Sequence, residues 1–351
     1  MRGRRVITVV DAHAGGEPGR VVTGGVRIPP AERVYDTMRW MEREADGLRR
    51  LLLREPRGYP ALCANVLVPP CHPEADAGFV ILEQTEYPPM SGSNTFCVAT
   101  VLLETGMIEP TEPVTRFTLE APAGLVRIEA RVRAGQVQSI RFENVPAFAV
   151  HLDAEIDVPT LGRVRVDVAW GGMFHVLADA ARLGLELVPE RGAELARVGA
   201  MLTAAAREQL PAVHPTNPGI EGVSIAQLTG PPSGPHADGR NTVVVSTGTV
   251  DWDRPSTWRG ALDRSPCGTG TCARMAVLHA RGLLEVGQPF RHEGILGTVW
   301  TGSLGAPTRI GDRDAVVPAL EGRAWITGFS HLVLDPEDPF PEGFTLGDLW
   351  S

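Results

Sequence analysis

The chain has 351 residues, 43% hydrophobic and 21% charged, the make-up of a globular protein whose length suits two domains better than one core. Its formal charge of −9, with no basic run or basic helical face, argues against a nucleic-acid partner. All 33 basic residues are arginines, which excludes the lysine Schiff base of a pyridoxal-phosphate enzyme and the lysine of a Walker-type phosphate loop.

The Arg-rich start (Arg2, Arg4, Arg5) leads into a strand-like run at Val6–Val10 and lacks a signal peptide's apolar region. No stretch approaches the ~20 apolar residues of a membrane span, so a cytoplasmic location and no membrane partner are expected. Further strands are expected at Gly78–Leu82, Thr115–Leu119 and Leu125–Arg133, with a helix over Thr37–Arg54. A second cycle begins near Arg163. It has a strand at Val164–Val168, a break at Gly171–Gly172, a helix at Ala193–Gln209, and strands at Gly222–Gln227, Asn241–Ser246 and Ala324–Leu334. The segment Ser246–Leu262, with Trp252 and Trp258, reads as a lid or, slightly preferred, a surface hairpin.

Metal ligation is poorly supported. No two of the nine histidines stand at i, i+4, there is no CxxC, and Cys267 and Cys272 are five apart. Most of the five cysteines read as small buried apolar residues.

The strongest signal is an internal echo. Ser91-Gly-Ser-Asn-Thr opens a helix-like run, Phe96 to Glu104, that stops at Gly106, and Cys267-Gly-Thr-Gly-Thr opens another, Cys272 to Arg281, that stops at Gly282. At an offset of 176 they share six identities in nineteen positions, which points to a duplicated half-molecule. Each start places an acid–base residue before a helix whose free N–H groups and dipole suit a carboxylate. Stabilising a carboxylate as it gains enolate-like charge is the main task in removing an amino-acid α-proton. Cys267 is the expected base, its pKa lowered by the helix start. Ser91 could equally be a plain N-cap, and only the echo favours catalysis.

At these residues the sequence resembles the proline racemase family. "DRSPCGTGTCA" (Asp263 to Ala273) and "PPMSGSNT" (Pro88 to Thr95) are similar to its two active-site blocks, "DAHAGGEPGR" (Asp11 to Arg20) to its opening strand and turn, and "HADGRN" (His236 to Asn241) to a later strand. The resemblance implies an α/β fold of two similar domains, each a β-barrel-like sheet around a central helix (diaminopimelate epimerase-like), with the active site between them. The expected halves are 1–160, completed by 325–351, and 161–324. It further implies that Ser91 and Cys267 are catalytic, that Gly92, Ser93, Gly268 and Thr269 bind the substrate carboxylate, that Asp263 holds the ring ammonium, and that His236 lines the pocket. Ser91 and Ser93 depart from the Cys and His usual in the first block. No cofactor or metal is expected; the partner is a small molecule, proline or hydroxyproline, and a homodimer is allowed.

Racemisation needs a competent base on both faces of the α-carbon, whereas elimination needs one base and a weak acid. The serine therefore favours dehydration of trans-3-hydroxy-L-proline to pyrroline-2-carboxylate, with 2-epimerisation of 4-hydroxyproline, 3-hydroxyproline or proline as the alternative. A thiol-dependent hydrolase or transferase and a non-catalytic amino-acid-binding protein remain as readings from other classes.

Overall fold

In the computed structural model the chain forms two compact units, Met1–Phe142 with Arg323–Trp350, and Glu143–Gly322. The structure describes residues 5–347 and 350, so Arg2 and Arg4 lie outside the described residues. The first unit contains β1 (Arg5–Ala14), β2 (Glu17–Gly24), α1 (Val34–Glu44), α2 (Asp46–Leu53), β3 (Cys63–Val68), β4 (Ala77–Leu82), α3 (Gly92–Glu104), β5 (Val114–Ala121), β6 (Gly124–Arg133) and, at its end, β7 (Gln136–Glu143). The second contains β8 (Phe148–Val158), β9 (Gly162–Trp170), β10 (Phe174–Asp179), α4 (Gly192–Gln209), β11 (Ile225–Gly230) and β12 (Gly239–Ser246). It continues with β13 (Gly260–Leu262), α5 (Gly268–Ala280), β14 (Phe290–Glu293), β15 (Val299–Ile310) and β16 (Arg313–Gly322). β17 (Ala324–Leu334) returns to the first unit.

Two boundaries differ from expectation. The halves divide at 142/143 rather than 160/161, because β8 pairs with β9 up to the tight turn Val158↔Gly162 and travels with it. The expected helix over Thr37–Arg54 is two helices, interrupted at Ala45 (φ −135°, ψ 21°). Asp46 starts the second one, where its carboxylate meets the favourable end of the helix dipole and bonds Arg49, Arg50 and Tyr87.

In the first unit β17, β1, β2, β3, β4, β5 and β6 lie side by side. Successive pairings run antiparallel, antiparallel, parallel, antiparallel, parallel and antiparallel. In the second, β8, β9, β10, β11, β12, β14 and β15 repeat that order of directions, and β16 adds an antiparallel neighbour to β15. Ala147 and Val316 then exchange two backbone hydrogen bonds (2.8 and 2.9 Å), returning the ladder to the start of β8 and closing the sheet.

Each curled sheet holds one helix. α3 packs on β1, β2 and β17, and α5 on β8, β9, β15 and β16. The sequence dictates this for α3: it has no charged residue before Glu104, and Gly92 to Leu103 are all buried, so no face is left for water. Both helices have thirteen residues and end against glycines in the left-handed region, Gly106 (φ 71°) and Gly282 (φ 68°). The echo therefore holds at both ends of the two helices. The Trp-bearing insertion is a hairpin: β13 pairs back on β12, Trp258 is buried beneath the Arg197 guanidinium of α4, and Trp252 Nε1 donates to Glu208 (3.0 Å). Among the described residues no helix is long and apolar enough to cross a membrane.

Candidate active site

The second unit assembles a dense cluster around Cys267. Cys267 is the N-cap of α5 and is 5% exposed. Its φ of 59° puts a side-chain-bearing residue in the left-handed region, where strain is held by its surroundings. A local network does this. Asp263 Oδ1 accepts from Ser265 N and Oγ (both 2.7 Å), Ser265 Oγ accepts from Cys267 N (3.1 Å), and Cys267 Sγ accepts from Gly270 N (3.3 Å). Thr269 Oγ1 lies 3.7 Å from the sulfur, and Met173, Ile225 and Val243 pack around it.

Electrostatics modify the expectation for Cys267. Burial first, and the Asp263 charge second, push its thiol well above the usual range, while the Gly270 N–H and Thr269 hydroxyl pull it down. The lowering expected from the helix start is thus outweighed, because the sulfur is desolvated beside a carboxyl. Burial likewise raises Asp263, against the hydrogen bonds from Ser265 and Cys267.

In the first unit Ser91 is the N-cap of α3 with an extended backbone (φ −147°, ψ 124°) and makes no capping bond to the helix backbone. Its Oγ accepts from Asn94 Nδ2 (2.9 Å) and lies 3.3 Å from Ser93 Oγ. Ser91 and Cys267 are therefore positional counterparts with different backbones and different donors. At both helix starts the first-turn N–H groups, those of Gly92, Ser93, Gly268 and Thr269, have no intrahelical acceptor and no other hydrogen-bond acceptor among the described residues. Each start can receive an anionic oxygen.

The structure thus brings Asp263, Cys267, Gly268 and Thr269 together, and separately Ser91, Gly92 and Ser93. His236 is not in the Cys267 cluster by any contact: it is half-exposed on the loop before β12, 3.7 Å from Glu293 Oε2. The histidine that does reach the cluster is His175 on β10, fully buried, its Nε2 3.0 Å from Thr269 Oγ1. Burial alone lowers its pKa to about 3, so it is a neutral partner of Thr269. Sequence reading missed it because an isolated histidine in an apolar strand carries no motif. Gly171 was visible only as a break. A Cβ there would fall 2.2 Å from Thr269 O and 2.5 Å from Ala273 N, so the residue is what lets β9 approach α5. Among the described residues no three His, Cys, Asp or Glu side chains converge as metal ligands would.

Comparison with known proteins agrees with this fold. A family model described as proline racemase matches residues 9–345. A hydroxyproline epimerase from Agrobacterium vitis, solved with bound trans-4-hydroxy-L-proline, is 38% identical over 100% of this chain and 98% of its own, with a TM-score of 0.91. A probable proline racemase from Agrobacterium radiobacter, solved with bound carbonate, is 39% identical over 98% of each chain, also at 0.91. A phenazine biosynthesis protein of the PhzF family from Bacillus anthracis shares the fold at 12% identity and a TM-score of 0.56, covering 93% of this chain and 99% of its own.

Proposed function

The chain belongs to the proline racemase family, and on that premise we propose that it inverts the α-carbon of a hydroxyproline, with trans-4-hydroxy-L-proline as substrate. The observation that carries this reading is full-length similarity, at 38% identity, to an epimerase solved with that amino acid. The order of the two reactions favoured from sequence is therefore reversed: epimerisation comes first and dehydration of trans-3-hydroxy-L-proline second.

In this scheme the N–H groups of Gly92, Ser93, Gly268 and Thr269 hold the carboxylate, and Asp263 receives the ring ammonium. The ammonium neutralises Asp263 and so removes its upward push on the Cys267 thiol. The Cys267 thiolate takes the α-proton, and the electron pair spreads into the carboxylate against its N–H donors. The Ser91 hydroxyl delivers a proton to the opposite face. His175, through Thr269, keeps a donor aimed beside the sulfur. Dehydration remains as a second reading because Asn94 donates to Ser91 Oγ, which leaves the hydroxyl proton free for a departing β-hydroxyl.

The experiment is incubation in deuterated water with trans-4-hydroxy-L-proline, trans-3-hydroxy-L-proline and L-proline in turn. Deuterium at Cα with inversion of the 4-hydroxy substrate supports the epimerase. Pyrroline from the 3-hydroxy substrate alone replaces it with the dehydratase, and exchange with neither ends both.

A further inference from the structure

Behind Ser91 runs a short buried chain of amides. Asn94 Nδ2 donates to Ser91 Oγ (2.9 Å), Asn65 Nδ2 donates to Asn94 Oδ1 (2.6 Å), and the same Asn65 Nδ2 faces the backbone carbonyl of Arg20 (3.4 Å). All four residues belong to the first unit, on β2, β3 and the start of α3, and the two asparagines are fully buried.

The direction of this chain is fixed at its far end. The Arg20 carbonyl can only accept, so the amide nitrogen of Asn65 must face it. That nitrogen also faces Asn94, which must present its oxygen in return. The remaining end of the Asn94 amide, toward Ser91, is then the N–H donor. Gly19 makes this packing possible: a Cβ there would stand 2.8 Å from Asn94 Oδ1 and 3.0 Å from Cys97 Sγ.

The counterpart position in the second unit performs the same task by other means. Residue 270 stands three after Cys267 as residue 94 stands three after Ser91, and Gly270 offers its backbone N–H to Cys267 Sγ at 3.3 Å. With the extended backbone of Ser91, no backbone N–H of α3 reaches the hydroxyl, and the side chain of Asn94 takes its place. Both reacting atoms thus receive one N–H from the third residue of their helix.

We propose that Asn94, oriented by Asn65, is a positioning residue that holds Ser91 as a proton donor and stabilises the alkoxide left when the proton leaves. This rests on the epimerase reading above. One Ser91 lone pair is occupied by the Asn94 N–H, so the hydroxyl proton points outward, toward substrate or, without it, toward Ser93 Oγ. On donation the O–H bond breaks, its electron pair stays on oxygen, and the carbanion's pair forms the new Cα–H bond. The proton taken by Cys267 returns to the Ser91 oxygen through solvent water, restoring the enzyme. A preorganised donor facing developing negative charge is the arrangement whose removal costs about 10²–10³ in turnover.

The test compares Asn94→Ala and Asn94→Asp with the wild type on trans-4-hydroxy-L-proline across pH. Asn94→Ala should lower kcat by about 10² with little change in KM. Asn94→Asp is nearly isosteric, yet above neutral pH its carboxylate must accept from both Asn65 and Ser91, turning the serine proton inward, so it should be equally impaired. As pH falls the carboxyl protonates, accepts from Asn65 and donates to Ser91, and activity should recover along an acid limb absent from the wild type. Asn94→Asp with wild-type kcat and no new limb, or Asn94→Ala with wild-type kcat, overturns the proposal. A second measurement needs no turnover: the Asn94 side-chain amide resonances should move in Ser91→Ala, and unmoved resonances overturn the relay. If the wild type does not act on hydroxyproline, the epimerase reading falls while the amide resonances still decide the relay.

Discussion

Gly270→Ala separates folding from chemistry in the second unit. The added methyl would sit 3.1 Å from Cys267 Sγ, 3.2 Å from Val243 Cγ2 and 3.3 Å from Cys267 Cβ, so the sulfur must shift by a few tenths of an ångström. Overpacking of this kind costs about 1–3 kcal/mol. Replacing glycine by alanine in a helix returns about 1 kcal/mol, so the net loss of stability is about 0–2 kcal/mol and the unit stays folded. The catalytic cost follows from the displaced sulfur: a misplacement of about 1 Å can cost about 10²-fold, so a few tenths of an ångström scale to about threefold to tenfold. Expected, then, are a thermal midpoint lowered by no more than a few degrees and a rate of the proposed epimerisation, followed by polarimetry, lowered about threefold to tenfold on the same principle. Full activity in a variant with the expected midpoint would refute the claim that the sulfur position is set by this contact.

Asp263→Asn removes the charge that is the second cause of the raised Cys267 thiol, so iodoacetamide should alkylate Cys267 faster at pH 8 than in the wild type, tenfold for about each pKa unit recovered; slower alkylation would contradict the assignment. His175 and His292 are buried and neutral, each lowered to about 3 from 6.5, chiefly by desolvation. The unfolded chain takes up these two protons below pH 6.5 and the folded chain does not, so stability is retained above 6.5 and lost as pH falls toward 3. Each histidine contributes a slope of about 1.4 kcal/mol per pH unit. Urea unfolding followed by tryptophan fluorescence should lose about 2 kcal/mol between pH 6.5 and 5.5, and a flat profile would show that both histidines are protonated in the fold.

Much of the site was written in local sequence. The helix starts at Ser91 and Cys267 and the glycines at both ends of α3 and α5 are short-range features, and local rules read them correctly. A second echo was equally legible but unread. Asp11 stands four residues before Gly15-Gly16 and Asp167 four before Gly171-Gly172, and each glycine pair turns one strand into the next, β1 into β2 and β9 into β10. The strands β2, β3, β10 and β14 were not singled out, since they are buried at most positions and lack the alternation that marks a half-buried strand.

By itself, then, the sequence determined which residues cap the two helices and that their chemistry is unequal, because a helix start, its glycines and its first side chain are all set within a few residues. Only tertiary structure decided how that chemistry is tuned. Desolvation and Asp263 raise Cys267 rather than the helix start lowering it, β10 supplies His175, and β2 and β3 supply the Arg20 carbonyl and Asn65 that aim Asn94 at Ser91. The first depends on dielectric, and the His175 and Asn65 contacts join residues 29 to 94 positions apart, which no local pattern encodes.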